Sequence, residues 1–360
     1  MKKLIMIGAA VVAVGANADT VTLKDMTWTY TPSGQNAELT ACSGNNTTAF
    51  DAADIPWTFT NNDTEYTVTS VNNTFKNWEK MTGALSIPDE VTAIGSFEKC
   101  HIASVSFGSG LTRIPKWCFK NADFLGSVVL PSTITEVSQD AFSWCDRLSA
   151  VWIKGPAASS GSYCTVHETA FDGAGVKVFL AGLQTKANDM SSTFNLVDKC
   201  KAFVPANGYW GDFSSGVMTL RYGAGQELDI LIDEQAMTLT ATVATENALT
   251  NVLASAADFK QYFGLDTVVS ITNNIDASVE ITEEMLNNAT LNVPTWYMAF
   301  AVKTQAQLDR VLAATTGPIV ADITGATEEI TPPVGRRVAI LAPGGATFNY
   351  HNRGLTISFY

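Results

Sequence analysis

The sequence predicts a mainly β protein with some α, in which a solenoid of repeated segments with an N-terminal β cap precedes a separate α+β or mainly β C-terminal domain. A short apolar motif recurs at intervals of 20 to 27 residues between residues 65 and 205. Thr, which favours strands, and Asn, which favours turns, are both abundant. Residues 206–360 lack the repeat but carry strand and helix patterns.

The repeat consists of a strand segment and a turn segment. The strand segments are Leu85-Ser86-Ile87, Val105-Ser106-Phe107, Val128-Val129-Leu130 and Val151-Trp152-Ile153, with looser copies at Val178-Phe179-Leu180 and Ala202-Phe203-Val204. The turn segments share a Phe at their end, namely Phe75, Phe97, Phe119, Phe142 and Phe171. One such repeat cannot bury its own apolar face, whereas stacked repeats share a continuous core. A solenoid over residues 65–205 is therefore predicted.

Two copies carry a specific resemblance. Ile87-Pro88 followed by Val91-Thr92-Ala93-Ile94-Gly95, and Leu130-Pro131 followed by Ala141-Phe142-Ser143-Trp144-Cys145, are similar to the BspA-type leucine-rich repeats of bacterial surface and secreted proteins. The resemblance covers residues 65–205, with a Gly/Ser/Ala-rich insert at residues 157–161. It implies a leucine-rich-repeat solenoid in a protein that attaches to host, matrix or neighbouring cells.

The segment before the repeats, residues 19–64, is predicted to form two or three strands that cap the solenoid. Polar and apolar side chains alternate around Trp28 and Trp57, and the open end of a solenoid needs a polar-faced cap. Both Trp rings are expected to fill the cap's core, and carbohydrate binding by them is the alternative.

Residues 206–360 are assigned to a C-terminal domain of unknown family. A first helix closed by Gly264 is predicted from apolar residues with helical spacing, namely Leu249, Val252, Leu253, Ala256, Phe259 and Phe263. A second helix is expected after the N-cap Thr304, between strands at residues 296–303 and 319–323 in one βαβ unit. Other strands are predicted at residues 218–221, 237–243, 267–272, 337–341 and 355–359.

The N-terminus is typical of a secretory signal peptide over residues 1–18. Lys2 and Lys3 precede an apolar run at residues 4–14, and Ala16-Asn17-Ala18 has the form of a signal-peptidase site. We therefore expect cleavage after Ala18 and a location outside the cell or in the cell envelope, with no membrane span in the mature chain. The net charge of −13 argues against nucleic acid as a partner.

The six cysteines allow fifteen disulfide pairings, among which the sequence alone does not choose. Cys100 and Cys145 each follow a core Phe by three residues, two repeats apart, so they should lie ~10 Å from each other. A disulfide needs Cα atoms within roughly 7 Å. We predict that these two cysteines do not pair and instead pack in the solenoid wall.

Motifs for catalysis are absent from the sequence. None of His101, His167 and His351 lies in a zinc-binding or nucleophile motif. Adjacent acids such as Asp233-Glu234 are typical of solvated turns. No catalytic residue, metal site or cofactor is predicted, and the chain is expected not to be an enzyme, although residues 206–360 leave this open.

The predicted binding residues form a row. The middle residue of each strand segment should face outward, which places Val129, Trp152, Phe179 and Phe203 side by side. An exposed apolar patch usually marks an interface. Either an external partner binds the row, or residues 206–360 dock on it within the chain.

The predicted function is binding or adhesion to an extracellular protein or glycan at or outside the cell surface. One alternative is a glycan-acting enzyme with its active site in the C-terminal domain, which requires two carboxylates facing each other in a cleft. The other alternative is a self-assembling structural component of the cell envelope.

Overall fold

Sheets dominate the computed structural model, which is mostly β with few helices. It describes residues 18–44, 47–123, 125–182, 185–187, 193–195, 201–203, 209–214, 217–222, 228–272, 282–293, 298–315, 317–343, 345–350 and 355–358. The expected signal peptide (up to residue 17), Cys200 and His351 lie outside these residues. No helix in these ranges combines the length and the apolar character needed to cross a bilayer.

The strands of the N-terminal part are more numerous than the two or three predicted before residue 65. They are β1 Asp19–Leu23, β2 Met26–Ser33, β3 Asn36–Cys42, β4 Phe50–Asp51, β5 Thr58–Asn61, β6 Thr64–Val71 and β7 Met81–Thr82. In β2 the alternation of Thr with Trp28 and Tyr30 buries both rings and leaves the Thr side chains on the other face. A tight turn joins β1 to β2 in a hairpin. Its two central residues, Lys24 and Asp25, both have positive φ.

The repeat region continues with short strands that alternate between two positions in each repeat. They are β8 Ala84–Ile87, β9 Ala93–Ile94, β10 Ser104–Phe107, β11 Arg113–Ile114, β12 Ser127–Leu130, β13 Glu136–Val137, β14 Ala150–Ile153, β15 Cys164–Val166, β16 Val178–Ala181, β17 Thr185–Ala187, β18 Thr193–Asn195 and β19 Lys201–Phe203. Single 3₁₀ turns lie at Ala52–Asp54, Asn73–Phe75 and Ala158–Ser160.

Equivalent strands of successive repeats pair in parallel. One sheet has the order β12-β14-β16-β19 and another has the order β11-β13-β15-β17, while β8 pairs with β10 and β6 pairs with β9. Ile87 lies opposite Phe107, and Leu130 lies opposite Ile153, as the repeat predicts. The first four strand segments proposed from the sequence are confirmed, and their equivalent apolar residues are in register where the strands pair. Val204 of the last proposed segment lies outside the described residues.

The core of the repeats contains a column of stacked rings. Neighbouring members of the series Phe75, Phe97, Phe119, Phe142 and Phe171 have ring centroids 5.1, 5.6, 5.3 and 5.3 Å apart and nearly parallel planes. The N-terminal sheet joins this core, since Trp28 is 1% exposed and contacts Phe75 edge-on at 6.1 Å. Burial of Trp28 agrees with the core role expected for it, and Trp57 packs half-buried against the same cluster.

The described residues of the C-terminal part form strands and three helices. Its elements are β20 Tyr209–Ser214, β21 Val217–Tyr222, β22 Leu228–Asp233, β23 Thr238–Val243, α1 Glu246–Phe263, β24 Asp266–Ile271, α2 Glu283–Asn288, β25 Ala289–Asn292, β26 Met298–Ala301, α3 Gln305–Ala314, β27 Ile319–Asp322, β28 Arg337–Ala342, β29 Gly345–Tyr350 and β30 Leu355–Ser358. Three sheets result, with the orders β18-β21-β20, β22-β23-β24-β25 and β26-β27-β28-β29-β30.

Both predicted helices are confirmed, together with the βαβ unit. Helix α1 ends at Gly264, whose φ of 71° suits a residue without a side chain. Thr304 caps α3, because its hydroxyl accepts a hydrogen bond from the backbone N–H of Gln307 at 3.2 Å. Strands β26 and β27 flank α3 and pair in parallel. Helix α2 and strands β20, β22, β25 and β29 were not predicted.

Candidate binding surfaces

The predicted apolar row is largely covered. Trp152 is 6% exposed and its ring contacts Phe263 edge-on at 5.7 Å. Phe203 is 2% exposed and meets Phe259 in the same way at 5.0 Å. Because both partners belong to α1, the end of this helix lies on the outer face of the repeat sheet. Trp152 and Phe203 therefore do not form an exposed patch. This corrects the interpretation that an external partner binds the row at these two residues.

Phe179 does not belong to this row. It pairs with Val151, and Leu180 pairs with Trp152 and Phe203. Phe179 is fully buried inside the repeats and contacts Phe171 edge-on at 5.6 Å. The expected register was wrong by one residue, and a one-residue slip moves a side chain to the opposite face of a strand.

The outer row of this sheet consists of Val129, Trp152, Leu180 and Phe203. Val129 is half-buried and packs against the same apolar cluster as the other three. In the preceding repeats the equivalent side chains are the exposed Ser86 and Ser106, whose hydroxyl oxygens lie 3.1 Å apart. Where the row is polar it faces solvent, and where it becomes apolar it is covered.

A polar contact accompanies this apolar one. Lys154 Nζ lies 2.6 Å from Glu234 Oε2, in the turn between β22 and β23, and 4.9 Å from the centre of the Trp152 ring. The Lys154 and Glu234 side chains are 26% and 54% exposed. An ion pair so accessible to water contributes little to stability. Packing of the rings is the main contact between the repeat sheet and α1.

Two large rings remain exposed elsewhere on the repeats. Trp117 is 39% exposed and Trp144 is 53% exposed. Both have a left-handed backbone, with φ of 62° and 59°. Asp140 occupies the place of Trp117 in the next repeat, and Asn121 occupies that of Trp144 in the preceding one, also with positive φ. Bulky residues are uncommon in this conformation.

Trp117 lies among lysines. The ammonium groups of Lys116, Lys76 and Lys120 are 4.3, 5.7 and 6.0 Å from the centre of its ring. The indole N–H donates to Asp140 Oδ2 at 3.1 Å, which fixes the direction of the ring. Cations near an aromatic face are attracted by its quadrupole. The result is a local basic and aromatic surface on a chain whose net charge is −13.

A groove lies beside this surface, over the outer face of strands β11, β13 and β15. Its volume is about 650 Å³, and its lining includes Arg113, Lys116, Thr135, Thr165 and His167. Arg113, Glu136 and Thr165 lie side by side in register. Lys116 belongs both to the groove and to the surroundings of Trp117, so the two features are continuous.

The five described cysteines are free thiols, including Cys100 and Cys145, as predicted for that pair. Cys100 donates to the carbonyl oxygen of Phe75 at 3.1 Å, and Cys145 donates to that of Phe119 at 3.0 Å. Burial raises the pKa of Cys100, Cys145 and Cys164 to about 12. These thiols fill the wall of the repeats and are not reactive.

The described residues do not assemble a catalytic carboxylate pair in the cavity of the C-terminal part. This cavity of about 380 Å³ between β24, α2 and α3 is lined by one carboxylate, Asp266, beside Arg310. Asp266 is held by Lys260 at 2.6 Å. His167, in the repeats, bonds to the neighbouring Thr169 through Nδ1 at 3.1 Å. Within the described part of the chain, no group of three His, Cys, Asp or Glu side chains is placed to hold a metal ion.

The repeat segment matches the model of the BspA type leucine-rich repeat region in six copies, over residues 59–171. Residues 59–171 belong to the BspA-type leucine-rich repeats. The match to this family begins before the expected boundary at residue 65. It ends before β16 and β19, although both strands continue the sheet of the leucine-rich repeats. No curated protein matches this chain.

Several crystal structures are similar to this chain at low sequence identity. A leucine-rich cell surface protein of Faecalibacterium prausnitzii A2-165 is 15% identical with a TM-score of 0.36, covering 84% of this chain and 94% of its own. The pneumococcal vaccine antigen PcpA is 13% identical with a TM-score of 0.41, at 89% and 93% coverage. A Bacteroides ovatus ATCC 8483 leucine-rich repeat protein is 11% identical with a TM-score of 0.30, at 89% and 90% coverage.

Sequence reasoning missed the surface around Trp117. The residue stands in a turn segment, where only the core Phe was considered, and its lysines come from two different repeats. A signal was present in Lys116-Trp117 and Lys120, which form a basic cluster in an acidic chain. Lys76 is distant from these residues in sequence, and only the stacking of the repeats brings it close to them.

Proposed function

We propose that this chain is an exported binding or adhesion protein that holds an extracellular macromolecule on the surface of its leucine-rich repeats. The observation that carries the proposal is the ladder of BspA-type repeats. Parallel strands and stacked Phe rings in register create an extended surface instead of a closed pocket. Exposed Trp117 on the turns of that surface adds the type of side chain that often dominates binding energy.

The proposed architecture follows the divisions made from the sequence. Residues 1–18 are a signal peptide, residues 19–64 cap the repeats, residues 65–205 form a solenoid, and residues 206–360 are a separate domain. The proposal is supported by the pairing of β6 with β9, which joins the first sheet to the repeats. It is also supported by the contact of α1 with Trp152 and Phe203. In this architecture the apolar row serves internal docking and the turns remain open to a partner.

A binding screen tests the function. The chain from residue 19 to residue 360 is presented to immobilised extracellular matrix proteins and glycans. We expect saturable binding to at least one of them, which an unrelated acidic protein of the same size does not show. Failure to bind any of them, together with release of products from a glycan, would instead support the enzyme alternative for residues 206–360.

Export has its own test. Expression of the full chain in a bacterium is followed by N-terminal sequencing of the protein outside the cytoplasm. The sequence Asp19-Thr20-Val21 at the new N-terminus is expected. Retention of Met1 on a cytoplasmic product would contradict it.

A further inference from the structure

We infer that the surface formed by Trp117 with Lys76, Lys116 and Lys120, and continued by the groove of Arg113 and His167, binds a linear anionic polysaccharide. This inference rests on the proposed function and specifies the class of partner. The ligand is a chain of sugar rings that bears carboxylate or sulfate groups.

Charge is the first argument. The protein carries 35 acidic and 22 basic side chains, so an anionic polymer is repelled by most of its surface. Around Trp117 the local charge is positive because three lysines surround the ring, and Arg113 lies in the adjoining groove. One of these lysines, Lys76, lies 3.4 Å from Glu98, and the carboxylate of Asp140 is engaged by the indole N–H. The groove also contains one carboxylate, Glu136, which lies beside Arg113 in register and accepts a hydrogen bond from Ser138 at 2.6 Å. A local positive field on an acidic protein selects where an anion binds.

The conformation of Trp117 is the second argument. A bulky side chain with positive φ costs on the order of 1–3 kcal/mol, which only surrounding contacts can offset. Trp117 leaves 39% of its surface in water, although its indole N–H is bonded to Asp140. The next repeat places Asp at the equivalent position, a residue better suited to a left-handed backbone. Trp144 shares this conformation and exposure, but of the two rings only that of Trp117 has lysines around it among the described residues, which makes its exposed face suited to an anionic ligand.

The lining of the groove distinguishes a polysaccharide from an acidic peptide. Gln139 and Thr165 offer amide and hydroxyl groups that can exchange hydrogen bonds with sugar hydroxyls. The hydroxyls of Thr135 and Ser138 already donate within the chain, and their oxygens can accept from a sugar. Successive parallel strands are ~4.8 Å apart, comparable to the length of one sugar ring in a linear chain. Side chains on one face of an extended peptide recur only every ~6.8 Å. The periodicity of the repeats therefore matches the polysaccharide better.

Four soluble polymers test this inference. Binding of residues 19–360 to polygalacturonate, dextran sulfate, neutral dextran and poly-L-glutamate is measured by biolayer interferometry. We expect the wild type to bind polygalacturonate, dextran sulfate or both, and to bind neutral dextran and poly-L-glutamate at least about tenfold more weakly. The comparison of the first two polymers tells carboxylate from sulfate as the recognised group. Raising the salt from about 0.05 M to about 0.5 M should weaken binding at least tenfold, because it screens exposed charges.

Matched variants localise the site. The triple variant K76Q/K116Q/K120Q and the single variant Trp117→Ala should each lose at least about tenfold in affinity, since one removes the charge and the other the stacking surface. Lys177→Gln removes an exposed lysine elsewhere on the repeats, and Trp144→Ala removes the other exposed ring, so both should stay within about twofold of the wild type. Circular dichroism verifies that each variant is folded. If Trp117→Ala does not fold, the affinity of the triple variant alone tests the inference.

Three results would overturn the inference. These are unchanged affinity in the triple variant, equal binding of poly-L-glutamate, and no binding of any anionic polymer by the wild type. In the last case, binding to a matrix protein in the wider screen would leave the proposed function standing, whereas a negative result in both would end both proposals.

Discussion

At the scale of single residues, the repeats are held together by side chains that stack on their own copies. Phe119 lies between Phe97 and Phe142 with interplanar angles of 9° and 12°. Its backbone N–H donates to Ala141 O at 2.8 Å, so the backbone spacing and the ring spacing agree. Each ring shields the faces of its two neighbours from water, so the stacked rings stabilise one another.

Phe119→Ala should lower the free energy of unfolding by about 3–5 kcal/mol, the usual cost of removing a fully buried Phe. Urea denaturation followed by tryptophan fluorescence measures it. Trp144→Ala, which removes an exposed ring of larger size, is the control and should change stability by less than about 1 kcal/mol. Equal effects of the two substitutions would show that the column is not the core.

The buried thiols predict a loss of stability at alkaline pH. The pKa of Cys145 is about 12 in the folded chain, above the ~8.5 of an unfolded cysteine, because burial disfavours the thiolate. The stabilisation is therefore complete below about pH 8.5 and falls as the pH rises toward 12, by up to ~1.4 kcal/mol per pH unit for each thiol.

Urea denaturation at about pH 7, 8.5 and 10 measures the effect, because about pH 7 lies below the unfolded pKa of ~8.5 and about pH 10 lies between that value and the folded pKa of about 12. Cys145→Ala should give a shallower decline than the wild type, because it removes one group that deprotonates only on unfolding. Identical pH dependence in both proteins would contradict the assignment of a raised pKa to Cys145.

At the scale of secondary-structure elements, α1 covers the outer row of the repeat sheet. Its N-terminus is capped by Thr245, whose hydroxyl accepts from the N–H of Ala248 at 3.3 Å, and its C-terminus ends at Gly264. Phe259 and Phe263 in its last turns are the residues that reach the repeat sheet. The way this helix ends therefore determines how the outer row is covered.

Gly264→Ala should destabilise the chain by about 1–2 kcal/mol, because a Cβ at φ of 71° is strained. Gly325→Ala is the matched control, since no atom lies within 4 Å of its added Cβ and its φ is not positive. Differential scanning calorimetry compares the two melting temperatures. A lower melting temperature for Gly325→Ala than for Gly264→Ala would contradict the cap.

Helix α1 and the first repeat strands were predictable, because Leu249, Phe259 and their neighbours have helical spacing and Ile87 and Leu130 recur with a period. Phe179 was misplaced for a physical reason. All four residues of β16 are apolar because both faces of the strand are buried, so no alternation marks which residue faces inward. What covers the outer row depends on the tertiary structure. The sequence around Trp152 and Phe203 does not indicate whether a helix of the same chain or an external partner packs on these rings.

At the scale of the whole molecule, one sheet serves two cores. Val151, Ile153 and Phe179 point into the repeats, while Trp152, Leu180 and Phe203 pack with α1. An extended surface with an apolar end would otherwise expose large rings to solvent, which promotes association. The C-terminal part therefore has a structural role, because it covers the apolar face of the repeat sheet.

Trp152→Ala should lower the free energy of unfolding of the chain by about 3–5 kcal/mol, because it opens a cavity between the sheet and α1. Urea denaturation with far-UV circular dichroism measures it, and Trp144→Ala again serves as the control. Stability unchanged from the wild type would mean that the ring is not packed against the helix in solution, and the row would again be a candidate for an external partner.

The two-sided burial of β14 and β16 has a consequence for how such proteins diversify. A gene fusion that exchanged residues 206–360 for an unrelated module would leave Trp152, Leu180 and Phe203 without a matching helix face. Exchange of whole turns among the early repeats, where Ser86 and Ser106 face water, meets no such constraint. Recombination is therefore tolerated at one end of the repeat array and penalised at the other.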